Sequence, residues 1–283
     1  MKIFSDKNLL KSFLEANKQK NKTIGFVPTM GALHHGHLFL IEQAKKKNDI
    51  VVVSIFVNPT QFNSKEDLEN YPKTLESDVE MLKNIHCDVL FVPSVEEIYH
   101  ENIVSEKFDF DGLEHQMEGK FREGHFDGVG TIVKTLFEIV APNNAYFGEK
   151  DFQQLQIVKK LVKKYTFAIS IKGCAIFREK DGLAMSSRNA RLNIEQRKAA
   201  PFIYKVLKKA KKMFLTENHD FVTNWVENQF ENHPLLKLEY FTIAEEKTLE
   251  TIKIKEFNKK YRAFIAVFAG NIRLIDNLQL RNS

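Results

Sequence analysis

Between residues 23 and 174, short β-branched runs alternate with stretches whose apolar positions recur at helical spacing. Strands are predicted at 23–27, 50–56, 89–92, 145–147 and 167–174, with helices starting near His37, Thr74, Phe126 and Asp151. In the helix near Phe126, Val129, Ile132, Val133, Leu136 and Val140 fall on one face, which should pack on a sheet. The apolar runs within these strands suggest burial on both faces. This succession predicts the α/β class: a Rossmann-like parallel sheet covered by helices.

Past about Ile176 the pattern changes to a polar loop, Lys-rich helices and apolar runs at 238–243 and 261–269. The predicted organisation is a Rossmann-like domain over 1–176 and a smaller C-terminal α+β domain over 177–283. No repeat, low-complexity tract or Gly/Ser linker separates them, so a short hinge, a cleft and a lid-like second domain are expected.

Composition narrows the class. The chain has 283 residues, 43% of them hydrophobic, enough to fill a sizeable core. No apolar run reaches the roughly 18–20 residues that a bilayer span needs. The cysteines, Cys87 and Cys174, lack metal spacing, and the sequence opens at Met1 without a basic-then-apolar leader, which points to the cytoplasm. A net charge of +5 suits anionic small molecules. The lysines at 45–47 and 208–212 read as solvated helix faces, and Trp225 stands alone, so neither nucleic acid nor a membrane is an expected partner.

The strongest chemical signal is Pro28-Thr29-Met30-Gly31-Ala32-Leu33-His34-His35-Gly36-His37, an HxGH motif leaving a buried strand for a helix. Backbone N–H groups and the positive helix end at such a junction can receive phosphates. Gly31 and Gly36 permit close approach, and His34 and His37, three apart, can reach one triphosphate and neutralise developing charge. Two histidines at a strand end can instead cap the helix or bind zinc, but no third ligand stands at metal spacing. In Gly148-Glu149-Lys150-Asp151-Phe152-Gln153-Gln154, Lys150 can reach a phosphate, while Asp151 and Gln154 have capping-box spacing. In Asp181-Gly182-Leu183-Ala184-Met185-Ser186-Ser187-Arg188-Asn189, two hydroxyls and a guanidinium make either a polyphosphate clamp or an ordinary cap. Asn58-Pro59-Thr60-Gln61-Phe62 and the 122–129 segment add polar groups at the same sheet edge. There Gln61 suits a hydroxy acid or stands as an exposed turn residue. Asp78 reads as a first-turn helix acid or as an outer acid near a metal.

Taken in order, PTMGALHHGH, FVNPTQF, GHFDGV, YFGEKDFQQL and DGLAMSSRN resemble the pantothenate synthetase family, within the HIGH-motif nucleotidylyltransferase superfamily. The resemblance extends to about Leu192. It implies an ATP-dependent ligase that activates pantoate as an acyl adenylate and joins it to beta-alanine, with Mg²⁺ held mainly through ATP phosphates, in a cytoplasmic homodimer. It assigns ATP contacts to Met30, Gly31, Ala32, Leu33, His34, His35, Gly36, His37, Gly148, Glu149, Lys150, Asp151, Phe177, Met185, Ser186, Ser187 and Arg188. Gln61 and Gln154 would bind pantoate, with Gln61 also serving beta-alanine. His37 would be the proton donor, assisted by His34 and Lys150. Three positions depart from the family pattern: His35 replaces a more common acid, Glu123 a common Pro, and Phe177 a residue that is usually Val. If position 177 meets ATP through its backbone, the larger side chain is harmless; if it packs on adenine, the pocket is reshaped. The HxGH segment alone also fits an enzyme that leaves the nucleotide in its product; NPTQF and GEKDFQQ favour the ligase.

Overall fold

The computed structural model describes residues 1–63, 65–99 and 102–280. The chain divides into two compact units, Met1–Glu149 with Gln153–Ala175, and Lys150–Phe152 with Ile176–Ser283.

The first unit is built on a six-stranded parallel sheet. Its strands are β1 (Lys2–Phe4), β2 (Ile24–Thr29), β3 (Ile50–Ile55), β4 (Val89–Phe91), β5 (Asn144–Gly148) and β6 (Ser170–Cys174), in the order β1-β4-β3-β2-β5-β6. Every residue of β3 and β4 is buried, which explains sequences that are apolar but for Ser54. Ile41, Ala44 and Leu82, from the helices His35–Lys45 and Leu75–Asn84, pack on Val27, Val51, Val53 and Leu90. The helices Lys7–Lys18 and His125–Val140 pack on each other. Phe137 of the latter meets Phe26 of β2 edge-on, with centroids 6.3 Å apart.

After β4 the chain crosses back to lay β5 against the free side of β2, pairing Gly25 with Asn144 and Phe26 with Ala145. The strand order therefore reverses between β2 and β5, and open parallel sheets bind ligands outside the carboxyl ends of strands at such a point.

Beyond the predicted elements this unit holds β1 and the helices Lys7–Lys18, Lys65–Glu69, Val95–Tyr99 and Met117–Phe121. β6 begins at Ser170 rather than at 167. The preceding helix ends at Lys164, Thr166 turns the chain with φ 52°, and Phe167 packs against Phe137 with centroids 5.9 Å apart.

The second unit is a three-stranded antiparallel sheet of β7 (Leu236–Glu245), β8 (Tyr261–Ala269) and β9 (Ile272–Leu280). Ile203, Val206, Val222 and Val226, from the helices Phe202–Met213 and His219–Glu231, share one core with Ile243, Ala263, Ile265 and Val267. Among the described residues no helix is long and apolar enough to cross a membrane.

β9 also carries a buried acid. Arg178 donates from Nη1 to Asp276 Oδ2 at 2.6 Å and from Nη2 to Oδ1 at 2.9 Å. Its guanidinium lies 3.8 Å from the centroid of the Tyr204 ring. Removing one partner of a buried pair leaves the other charge uncompensated, at a cost of about 3–5 kcal/mol. Asp276→Ala is expected to lose about that much stability in urea denaturation; a loss below about 1 kcal/mol would mean that desolvation offsets the pair.

Candidate active site

Where β2 ends, the chain makes a tight turn before the first helix covering the sheet. Thr29 Oγ1 donates to the Ser54 carbonyl at 2.7 Å and accepts the Gly31 N–H at 3.2 Å. Gly31 (φ 78°) and Ala32 (φ 49°) both lie in the left-handed region, where a side chain such as Ala32's costs about 1–2 kcal/mol. Asp78, only 2% exposed, closes the turn. Its Oδ2 accepts the Ala32 N–H at 2.9 Å, and its Oδ1 accepts the Leu33 N–H at 2.8 Å and the Thr74 hydroxyl at 3.2 Å. A phosphate cannot take the N–H bonds of Ala32 and Leu33 that Asp78 accepts without displacing this carboxylate.

The helix begins at His35, two residues before its predicted start. His34 is the N-cap, in extended geometry, and its Nδ1 accepts the Gly36 N–H at 3.1 Å. A ring nitrogen that accepts carries no proton, so neutral His34 holds its proton on Nε2 and can donate from there. The rings of His34 and His37 stack with centroids 4.0 Å apart and planes at 23°. Helix capping and a part in chemistry are thus compatible for His34, because the two tasks use different nitrogens.

Gln61 ends a short 3-10 turn after β3, Pro59–Gln61, and is held at both ends rather than standing as a free turn residue. Asn58, 1% exposed, donates from Nδ2 to Gln61 Oε1 at 3.1 Å and to the Gly128 carbonyl at 3.0 Å. The Tyr99 hydroxyl donates to Asn58 Oδ1 at 2.5 Å. Burial raises the Tyr99 phenol above its ordinary pKa of 10.0, keeping it a neutral donor. Gln61 Nε2 lies 2.8 Å from Met30 Sδ, and its carbonyl accepts from Arg122 Nη2 at 3.2 Å, with His125 Nδ1 2.9 Å away. A Cβ on Gly128 would stand 2.5 Å from the Thr60 carbonyl oxygen, so this glycine lets the helix His125–Val140 touch the turn. Sequence reasoning found the Asn58 and His125 segments but not the Tyr99–Asn58–Gln61 chain. Tyr99 and Asn58 are 41 residues apart and no local pattern links them.

At the end of β5, Gly148 leads into a 3-10 turn, Glu149–Asp151, continuous with the helix Phe152–Lys164. Asp151 therefore sits inside a turn and is not the extended N-cap that a capping box with Gln154 requires. The reciprocal box forms at Asn193 and Gln196 instead. Of the two adjacent glutamines, Gln153 is structural: its Oε1 accepts the Glu118 N–H at 2.9 Å, and its Nε2 donates to the carbonyls of Leu113 and Gln116 at 2.8 Å each. Gln154 is half-buried and outside that clamp. The structure thus pairs Met30 with Gln61 and stacks His34 on His37 in the segments that follow β2 and β3, and places Gly148 and Glu149 at the end of neighbouring β5.

The remaining candidates belong to the second unit. Lys150 Nζ lies 3.9 Å from Asp151 Oδ2, and its carbonyl accepts from Asn277 Nδ2 at 2.8 Å. Met185 donates its N–H to the Phe177 carbonyl at 3.0 Å, and Phe177 is 38% exposed. Ser186 caps the turn Ser187–Arg191 by accepting the Arg188 N–H at 3.3 Å. Arg197 anchors the loop through Asp181 at 2.7 Å and Glu179 at 2.5 Å. Ser186, Ser187 and Arg188 therefore stand on a braced loop.

Both cysteines are free and buried, and burial pushes each thiol up to about 11. His86 (φ 53°) and Cys87 lie in a turn past the helix Leu75–Asn84, not within it. Neither thiol is a thiolate near neutral pH, so neither is an activated nucleophile.

By fold and site the protein is a Rossmann-like α/β enzyme with a small antiparallel second unit. The Pantoate-beta-alanine ligase family model matches residues 2–279. The chain is 58% identical over 282 residues to the pantothenate synthetase of Flavobacterium psychrophilum, covering 99% of this chain and 100% of the relative. It is 44% identical to that of Porphyromonas gingivalis, covering 99% of each. The Thermus thermophilus pantothenate synthetase superposes with a TM-score of 0.91 at 38% identity, covering 99% of this chain and 100% of that one. The Francisella tularensis pantoate-beta-alanine ligase, solved in complex with beta-gamma ATP and beta-alanine, gives 0.82 at 38% identity, covering 99% and 97%. The chain belongs to the pantoate–beta-alanine ligase family.

A thiol reagent at pH 8 is expected to label neither cysteine in the native protein and both after denaturation; stoichiometric native labelling would contradict the burial. Tyr99→Phe removes the shorter of two donors to Asn58 Oδ1, the Thr60 hydroxyl at 3.2 Å being the other, so a loss of about 1 kcal/mol is expected in denaturant unfolding.

Proposed function

We propose that this protein condenses pantoate with beta-alanine at the expense of ATP, through a pantoyl adenylate, yielding pantothenate, AMP and pyrophosphate. The observation that carries the reading is the cluster of Met30, His34, His37 and Gln61 beside the switch point of the parallel sheet, within a chain that belongs to the ligase family over its whole length.

A carboxylate oxygen is a poor leaving group, so amide formation needs activation. In the first step a pantoate carboxylate oxygen attacks the α-phosphorus of ATP, forming the acyl phosphate bond as the bond to pyrophosphate breaks. In the second, the beta-alanine nitrogen attacks the acyl carbon, the bond to AMP breaks, and the amine gives up a proton. No covalent bond to the protein is required, in keeping with the buried cysteines.

Gln61, fixed by Asn58 and beside Met30, is assigned to pantoate and beta-alanine, and half-buried Gln154 to pantoate. His34 is assigned a donor role through Nε2, and His37 that of proton donor to the leaving phosphate. The family likeness assigns Lys150, Ser186, Ser187 and Arg188 to the triphosphate. Among the described residues no three His, Cys, Asp or Glu side chains gather as a metal site. Mg²⁺ would arrive on the phosphates of ATP and neutralise charge on the departing pyrophosphate. The family likeness supports a homodimer, which a monomer in light scattering at working concentration would overturn, and a cytoplasmic location.

Incubation with ATP, Mg²⁺, pantoate and beta-alanine is expected to produce AMP and pantothenate only when both acids are present. His37→Ala should slow AMP formation by about 100-fold or more. Release of pyrophosphate with the nucleotide retained in a product would instead indicate a nucleotidylyltransferase.

A further inference from the structure

We propose that Asp78 is a positioning residue of the nucleotide segment: its buried carboxylate holds the Gly31–Leu33 turn in the one shape that presents Met30, His34 and His37 together. This rests on the ligase reading and adds to it a residue that contacts neither substrate in the proposed scheme.

Three donors converge on this carboxylate, two on Oδ1 and one on Oδ2. Their chemistry explains why an acid is needed. An amide of the same shape has one oxygen and one NH₂, so whichever way it turns, an NH₂ faces an N–H and at least one donor is left buried without its acceptor. The carboxylate sits in the first turn of the helix Leu75–Asn84, where the positive helix end favours a negative charge. Beside a loop assigned to an anionic ligand, the carboxylate faces three donors of its own rather than the phosphates.

The turn cannot hold this shape by itself. Gly31 adopts φ 78° freely, but Ala32 at φ 49° does not, and the Ala32 N–H is one of the two that Asp78 binds. A Cβ on Gly31 would stand 3.1 Å from Asp78 Oδ2 and 3.1 Å from Ile55 Cγ2, so the turn is packed directly onto the clamp. On either side of the turn stand the working groups: Met30 reaches Gln61, and two residues past Ala32 His34 caps the helix and stacks on His37. A turn that relaxes out of the left-handed region re-aims both ends at once.

The test compares wild type with Asp78→Asn and Thr74→Val, using hydrogen exchange of the 30–38 segment without substrates and steady-state kinetics of AMP formation. Asp78→Asn is expected to speed exchange in this segment while the rest of the chain keeps its protection. It should also lower kcat and raise KM for ATP, for a combined loss of about 10- to 100-fold in kcat/KM. Thr74→Val, which removes one donor and spares the two amides, should move both readouts the same way by a smaller factor, and decides the matter should Asp78→Asn fail to fold. Wild-type exchange at 30–38 with wild-type KM for ATP in the folded variant overturns the proposal. So does faster exchange spread over the whole unit with kcat and every KM unchanged, the mark of a purely structural acid. If wild type itself forms no AMP, the ligase reading fails, while the exchange comparison still decides whether Asp78 holds the turn.

Discussion

A parallel sheet imposes one constraint from which the rest of this protein follows: every strand delivers its following loop to the same edge. β3 and β5 flank β2 on opposite sides, so the turns after all three emerge side by side although they lie far apart in sequence. The β2 turn brings the paired histidines, the β3 turn brings Gln61, and the β5 end brings Gly148 and Glu149. Hydrophobic burial of β2 to β4 on both faces supports the edge. The scaffold and the chemistry are thus carried by different residues, apolar ones inside the strands and polar ones just past their ends.

What was legible in the sequence follows the same division. Mostly apolar runs marked β2 to β5 because strands buried on both faces leave that signal. The three-residue edge strand β1 was too short to leave one, and β9 was hidden because Asp276 and Asn277 interrupt it with polar residues that turn out to be buried and bonded. The HxGH segment announced itself through spacing along one turn of chain. The partners that hold it did not, because Asp78 is 46 residues from Ala32 and Tyr99 is 41 from Asn58, and only folding makes them neighbours.

The two adjacent glutamines show the limit in its smallest form. Gln153 and Gln154 are the same residue type in the same motif, and nothing in composition or period separates them. The fold does, since consecutive helical positions point about 100° apart. One side chain is turned inward to satisfy the N–H of Glu118 and two carbonyls, and the other stays at the surface of the clamp. The expected capping box at Asp151 failed for a related reason: a 3-10 turn ahead of the helix moved its start, and with it the geometry that a spacing rule takes for granted.

Gly128 sets a distance by what it lacks. Backbone meets backbone there, so the gap between the helix His125–Val140 and the Gln61 turn is fixed by bare van der Waals radii rather than by any side chain that mutation could trim or lengthen in small steps. Most contacts in a protein can be tuned methyl by methyl; this one has no finer setting available and only one direction of change. The depth at which Gln61 sits is therefore a hard stop built into the scaffold.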